Sequence, residues 1–316
     1  MSPRRHRDCM DDLRRRHDAL LDLIGGRTVH YVDVPVHGNV GDLLIMQGVE
    51  SFLSRHAIAV RLRAGFFNYD PAWAEPGDVI LFHGGGNLGD LYPGPQRIRE
   101  ETVARLPSHR IVILPQTIHF RDPRAYERCC AVFSRHPDLH VCVRDRTSFA
   151  LARPMTPHVH LLPDMAHQLW PMRRVGSPRA HRLGLFRADA ESAGRSGAAP
   201  VDEITDWPSL AHRGAAVPYA AYRAMRFLHG LGGDRRLVDL EMRVWQGHAR
   251  RLVAEAVRLL SAFETVETDR LHAHLLACLL DLPSVLHDNA YGKNAAYAAA
   301  WTAESERVTL AAALRG

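Results

Sequence analysis

Apolar and polar positions set two alternating periods along this chain. Residues 28–34 (TVHYVDV), 78–83 (DVILFH), 110–114 (RIVIL), 140–144 (HVCVR) and 158–162 (HVHLL) are short, β-branched apolar runs bounded by Gly, Pro or Asp. Runs of this kind predict strands. Helix-like stretches lie between them at 42–55, 95–106, 123–136 and 146–152. Strands alternating with helices predict a parallel sheet covered on both faces. After a Pro- and Gly-rich region at 163–178 the pattern restarts with a strand at 182–186 (RLGLF) and a polar loop at 189–200. Helices are then predicted over 218–230 and 236–262, the second broken at Gly247. A strand near 264–267, a helix near 271–280, a strand at 284–287 and a helix near 292–303 complete the chain. The fold class expected is α/β, with two Rossmann-like domains facing a cleft, over residues 27–170 and 171–316.

The first 26 residues stand apart. Arg14, Arg15 and Arg16 beside Leu13, Leu20, Leu21 and Leu23 suit an amphipathic helix ended by Gly25 and Gly26. It reads as a solvated helix packed loosely on the first domain, with a basic face able to touch an anionic membrane. The longest apolar stretch, Leu275–Leu286, is interrupted by Asp281 and Pro283, so no membrane-spanning helix is expected. No apolar segment follows the N-terminal charges as a secretory signal would require. Cys9, Cys129, Cys130, Cys142 and Cys278 contain no CxxC pair and are odd in number, which predicts reduced thiols in the cytoplasm and no thiolate metal site.

At 316 residues the chain is long enough for two domains, and 46% hydrophobic with 24% charged residues excludes disordered, collagen-like and coiled-coil classes. The net charge is +5, but the basic residues are scattered without an aromatic stripe, which argues against nucleic-acid binding. The composition of the cations is more telling. Lys293 is the only lysine among 40 basic residues, and Asn39, Asn68, Asn87, Asn289 and Asn294 are the only asparagines. A bias that replaces Lys by Arg should spare a lysine where a planar guanidinium cannot serve.

Six segments fall where parallel sheets place their ligands, at the carboxyl ends of strands. Two are glycine-rich: GNVGD (38–42), with Asn39 and Asp42, and HGGGNLGD (83–90), with Gly85, Gly86, Asn87 and Asp90. Glycines let the backbone approach an anion, and helix N-termini supply free N–H groups. HGGG is also the oxyanion-hole segment of some esterases, but no GxSxG elbow accompanies it. LPQT (114–117) brings Gln116, and VRDRTS (143–148) brings Arg144, a fork for carboxylate or phosphate. Arg146 reads as a partner of Asp145, and Asp164 as a turn or cap residue. In TDRLHAH (268–274), His272 stands in a first helical turn beside Arg270 and suits a proton donor next to an anion, whereas His274 faces another side. HDNAYGKN (287–294) carries Lys293. Together these groups suit a small polyanion, and no Walker P-loop is present.

The ordered set of motifs resembles the polysaccharide pyruvyl transferase family. The resemblance extends through TDRLHAHLLACLLDLP (268–283) and HDNAYGK (287–293), and LFRADAES (185–192) is similar to one subgroup making surface polysaccharide. It implies a two-domain GT-B-like fold and transfer of the pyruvyl unit of phosphoenolpyruvate onto two sugar hydroxyls, giving a ketal and phosphate. The acceptor implied is a sugar in a cell-surface polysaccharide or its lipid-linked precursor, met in the cytoplasm or at the inner face of the membrane. By resemblance, Arg144 and Arg270 bind the carboxylate and phosphate, Lys293 holds the phosphate, and His272 is the general acid or a phosphate contact. Asp42 or Asp90 is the general base, Asn39 and Asn87 line the cleft, and neither metal nor cofactor is required. Two other classes stay open: a GT-B glycosyltransferase using a nucleotide sugar, which lacks an evident ribose-binding carboxylate here, and a non-enzymatic sugar- or anion-binding protein.

Overall fold

The computed structural model describes residues 3–187, 200–207, 216–288 and 292–311. Nearly all of the expected loop at 189–200, the LFRADAES stretch beyond Arg187, and Asn289 lie outside the described residues. Strands β1 (Val29–Val32), β2 (Val60–Ala64), β3 (Val79–Phe82), β4 (Gly85–Gly89), β5 (Arg110–His119), β6 (Leu139–Val143) and β7 (His158–Leu161) form one sheet. Its order is β2-β1-β3-β5-β6-β7, with β4 pairing to β5 as well. Strands β8 (Ala180–Leu185), β9 (Glu203–Thr205), β10 (Phe263–Thr268), β11 (Ser284–Leu286) and β12 (Val308–Leu310) form a second, ordered β12-β11-β10-β8-β9. Every pairing in both is parallel. The protein is therefore mixed α/β with two Rossmann-like parallel sheets. The central strands β1, β3 and β6 are buried at every position, as continuous apolar runs between two helical layers must be.

The N-terminal expectation fails. The segment forms two helices, α1 (His6–Arg16) and α2 (Ala19–Ile24), and α1 is built into the protein. Cys9, Met10 and Leu13 are core residues, and the His6 ring bridges the Ser305 hydroxyl at 2.7 Å and the Cys278 carbonyl at 2.8 Å. Trp170 Nε1 donates to Asp11, and Arg14 donates to the Trp170 carbonyl. An amphipathic stripe says that one face is covered but not by what; here the cover is the end of the first domain at 165–170 together with Cys278 and Ser305 of the second half, so the helix is firmly rather than loosely packed.

Helix α3 (Val40–Arg55) leaves the first strand through the Asn39 cap, whose side-chain oxygen accepts the Gly41 N–H at 3.0 Å. Gly48 on this helix touches the turn at 165–169 backbone to backbone, since a Cβ there would lie 2.0 Å from the Met165 oxygen. Helices α4 (Pro93–Arg105), α5 (Pro123–Phe133) and α6 (Arg146–Ala152) complete the first half. In the second half, α7 (Ala216–Gly230) precedes α8 (Arg235–Ser261), and α9 (Leu271–Leu279) and α10 (Lys293–Trp301) follow β10 and β11.

Helix α8 runs unbroken through Gly247, where the sequence predicted an interruption. Nothing lies near the position of a Cβ there, and one glycine costs a long helix only about 1 kcal/mol. Although it belongs to the second half by sequence, α8 packs on the first sheet. Trp245 Nε1 donates to the Pro35 carbonyl, Gln246 to Glu50, and the Arg63 N–H to Asp239. Three strands went unread, β2, β9 and β12, and two expected loops are strands, since GGNLG is β4 and LPQT lies inside β5.

Candidate active site

A cavity of about 910 Å³ opens where the carboxyl ends of β1, β3 and β6 meet the N-termini of α9 and α10. Its walls include Asn39, Asp42, Gly86, Asn87 and Arg144 from the first half, and Arg270, His272 and Lys293 from the second. Arg187 lines it too, as do the aromatic residues Phe66, Phe67, Tyr92, Trp207, Tyr219 and Tyr222. Cationic and aromatic side chains on one cavity suit a ligand with a small anionic part and a larger neutral part.

Among the cationic groups the pivot is Asp164, which the sequence offered only as a turn residue. It is fully buried and does cap the turn at 165–169 by accepting the Ala166 N–H. Its Oδ2 also accepts from Arg144 Nη1 at 2.5 Å and lies 3.3 Å from His272 Nε2. Burial opposes ionisation, but the hydrogen bond and charge of His272, with Arg144, hold this carboxyl far below the usual carboxylate range. One anion thus fixes two of the expected donor contacts. Arg144 is further held by Thr117 Oγ1 at 2.8 Å, and its carbonyl by Trp301 Nε1. The His272 ring fills the space above Gly41, where a Cβ would stand 2.6 Å from Nδ1. Arg270, the cap residue of α9, is held by a two-pronged ion pair with Asp206, and Lys293 opens α10 behind Gly292 in the left-handed conformation at φ 72°.

The glycine-rich segment works differently from its sequence expectation. Gly84, Gly86 and Gly89 have the spacing of a dinucleotide-binding loop, but that motif needs a strand-to-helix turn and this segment is a strand. Gly89, at φ 141°, lies so close to β5 that a Cβ would sit 1.8 Å from the His119 oxygen. Asn87 lines the cavity while its amide joins a buried network: Nδ2 donates to Asp33, and Oδ1 accepts from Arg99 and Gln116. Gln116 is fully buried and supports this network from behind the wall, with Gly85 likewise outside the lining. Asp42 lines the cavity and accepts from Asn39 Nδ2 at 2.8 Å. Asp90 does not belong here. Its carboxylate accepts the N–H groups of Arg121 and Asp122, tying β4 to the start of α5 outside the lining, so as general base it is set aside.

Sequence reasoning missed Asp33 and His83, both of which line the cavity. Asp33 follows β1 and accepts from Arg99 Nη2 at 2.7 Å and Asn87 Nδ2 at 2.9 Å. His83 follows β3, with Nδ1 2.6 Å from the Tyr31 hydroxyl, and burial pushes its pKa down to about 3, so the ring is neutral. The rule that sites gather at strand ends applied to both, but Asp33 was counted inside the strand at 28–34, and His83 opened the HGGGNLGD segment without being given a role. Among the described residues, no group of three His, Cys, Asp or Glu side chains is placed to hold a metal ion, and no helix is long and apolar enough to cross a membrane.

Fold and site together define an α/β protein whose strand ends and helix N-termini surround a cavity lined by cationic side chains. Comparison with known proteins narrows this class. Residues 39–290 match the family described as polysaccharide pyruvyl transferase. The chain is 37% identical over 296 residues to EpsO of Bacillus subtilis (strain 168), which carries the name of a pyruvyl transferase, covering 92% of this chain and 91% of that one. It is 26% identical over 321 residues to pyruvyl transferase 1 of Schizosaccharomyces pombe, covering 95% of this chain and 77% of the relative. A solved structure of an uncharacterized Klebsiella pneumoniae protein shares the fold, with a TM-score of 0.63 at 18% identity over 95% of this chain and 98% of the other. The chain belongs to the polysaccharide pyruvyl transferase family.

Proposed function

We propose that the protein transfers the pyruvyl unit of phosphoenolpyruvate onto two hydroxyls of a sugar, forming a ketal and releasing phosphate. The observation that carries this reading is the convergence of Arg144, Arg270, His272 and Lys293 on one cavity that aromatic side chains also line. Phosphoenolpyruvate carries a carboxylate and a phosphate on one carbon, and cationic or proton-donating groups from two halves of the chain match that charge. The two-domain arrangement is read as GT-B-like, with the donor between the halves and boundaries near residues 27 and 171.

In this reading Arg144 and Arg270 orient the donor's carboxylate and phosphate, and Lys293 meets the phosphate. His272 delivers a proton to the methylene carbon, which makes the central carbon electrophilic. Preorganised cations then stabilise the departing phosphate. The aromatic lining suits the acceptor, because sugar faces stack on aromatic rings and a lipid-linked precursor has apolar parts to shelter. Work on such a precursor would place the protein in the cytoplasm, at the membrane face.

Isothermal calorimetry with phosphoenolpyruvate and with a panel of nucleotide sugars, on the wild type and Lys293→Ala, tests this. Binding of phosphoenolpyruvate that the substitution weakens at least tenfold is expected. Binding of a nucleotide sugar with no binding of phosphoenolpyruvate would overturn the reading in favour of a glycosyltransferase.

A further inference from the structure

We propose that Asp33 is the carboxylate that takes the proton from the attacking sugar hydroxyl; this inference rests on the pyruvyl-transfer reading. Three features of Asp33 converge. Its backbone lies in the left-handed region at φ 64°, a conformation that non-glycine residues seldom adopt and that Asp and Asn tolerate best. Strain of this kind persists only where the surroundings over-determine it, and it gathers at working sites. The residue is 3% exposed, yet it lines the cavity at the end of β1.

The third feature is the division of labour between its two oxygens. Oδ2 accepts both anchoring hydrogen bonds, from Arg99 Nη2 and Asn87 Nδ2. Among the described residues Oδ1 accepts none, and it is not enclosed as an unsatisfied buried atom. A carboxylate anchored by one oxygen and open at the other is preorganised to accept a proton. The anchor is rigid: Arg99 is fully buried, and its guanidinium also donates to the carbonyls of Asn87 and His83.

The charged and titratable groups facing Asp33 come from every neighbouring element. Arg99 reaches it from α4, Asp42 from α3, His37 from the loop after β1, and neutral His83 stands at the end of β3. Burial raises its carboxyl pKa, which makes it a better proton acceptor, while Arg99 and the Asn87 hydrogen bond limit the rise. Asp42, the carboxylate singled out by the sequence, is the more exposed of the two and has Asn39 and His37 on one oxygen.

The reaction balances with Asp33 in this role. His272 gives a proton to the methylene carbon, the sugar oxygen bonds to the central carbon, and that hydroxyl's proton passes to Asp33. The central carbon's bond to the phosphate oxygen breaks, and phosphate leaves with the electron pair. The second hydroxyl then bonds to the same carbon and gives its proton to Asp33 in turn. Of the two hydroxyl protons, one restores His272 and the other leaves with phosphate.

The test is phosphate release from phosphoenolpyruvate with a panel of p-nitrophenyl hexosides and with water as acceptor, beside calorimetry with phosphoenolpyruvate. Wild type, Asp33→Asn, Asp42→Asn and Asp33→Gly are compared. Asparagine keeps the anchoring geometry and tolerates the backbone, so Asp33→Asn should bind phosphoenolpyruvate within about threefold of wild type. Its kcat should fall about a hundredfold or more, at least tenfold beyond the loss in Asp42→Asn, and the acid limb of its pH profile should flatten. Asp33→Gly should be inactive and regain turnover with added formate. Near-normal turnover in Asp33→Asn, or a larger loss in Asp42→Asn, would overturn the proposal. If Asp33→Asn does not fold, failure of formate to restore Asp33→Gly overturns it instead. A wild type that neither binds phosphoenolpyruvate nor releases phosphate defeats the pyruvyl-transfer reading before any variant is compared.

Discussion

The two halves of the chain build their walls of the cavity by different means. On the first-half side the polar groups are locked together: Asp33, Asn87, Arg99 and Gln116 form one buried network, and Arg144 shares Asp164 with His272. On the second-half side, cations stand at the first turns of helices, Arg270 at the cap of α9 and Lys293 at the start of α10. A network fixes each group through several partners, so its removal leaves others uncompensated. A helix N-terminus sets where a group starts, and on this side Arg270 is pinned further by its ion pair with Asp206. Substitutions in the first wall should therefore cost stability and activity together, whereas a charge-preserving change at Lys293 in the second should act mainly on the ligand.

Asp164→Asn is expected to have the largest effect, because Asp164 holds a cationic group from each wall. The asparagine can still cap the turn, but Arg144 and His272 lose their shared anion. Breaking a buried ion pair by removing one partner costs about 3–5 kcal/mol, and turnover should fall beyond detection as both groups lose register. Urea unfolding and a phosphate-release assay measure the two losses. The pH dependence has a definite sign. The carboxyl is held low in the folded state, so its contribution is complete above its unfolded pKa of about 3.9 and is lost as pH falls below that. The stability gap between wild type and Asp164→Asn should be constant from pH 5 to 7 and narrow below about pH 4. A gap that persists at lower pH would mean that Asp164 acts as a cap only.

Next in size are two routes to the same defect. His272→Ala should lower turnover roughly a hundredfold or more if the ring is a general acid. Gly41→Ala should reproduce much of that loss without touching the ring's chemistry, because a methyl group at 2.6 Å from Nδ1 must push the imidazole aside. Alanine suits a helix better than glycine, so the helix itself gains from the change. If Gly41→Ala turns over normally while His272→Ala does not, the ring is adaptable and the first wall is less rigid than its hydrogen bonds suggest.

The asparagine and lysine counts show how much of this was legible in the sequence. Asn39, Asn87 and Asn294 sit where both ends of an amide, or two donations from one, are used. Asn39 accepts from Gly41 and donates to Asp42, and Asn294 donates to the carbonyls of Asp269 and His287. Aspartate cannot donate, so scarcity marked positions with a real requirement. Strand and helix order were readable because continuous apolar runs report burial on both faces. The missing strands explain the limit. In β2, Arg61 and Arg63 alternate with Val60, Leu62 and Ala64, but arginines in salt bridges look in sequence like loop residues. Asp33, Asp164 and Arg99 were not legible as a set, since their importance lies in partners 20 to 108 residues away.

Lys293→Arg separates the second wall from the first. Arginine keeps the positive charge and suits a helix as well as lysine, so folding should be little changed. The exchange keeps the charge but enlarges and flattens the head group, so the Michaelis constant for phosphoenolpyruvate should rise about tenfold. Steady-state kinetics beside a melting curve decide this. Normal kinetics would remove the weight placed on the lone lysine.

The smallest effect expected is also the most discriminating. Gly86 faces the cavity from β4, and a Cβ there would stand 3.4 Å from Arg144 Nη2, an ordinary contact that requires no displacement. Gly86→Ala should therefore leave stability within about 0.5 kcal/mol of wild type, as for a substitution that breaks no packing. The added methyl would nevertheless occupy space beside the guanidinium edge opposite the one that holds Asp164. If Nη2 is the atom that meets the donor, its Michaelis constant should rise a few-fold while kcat is kept. If the donor lies elsewhere, nothing should change. A kcat effect instead would show that Arg144 moves during turnover, and the first wall would then be a working part rather than a fixed frame.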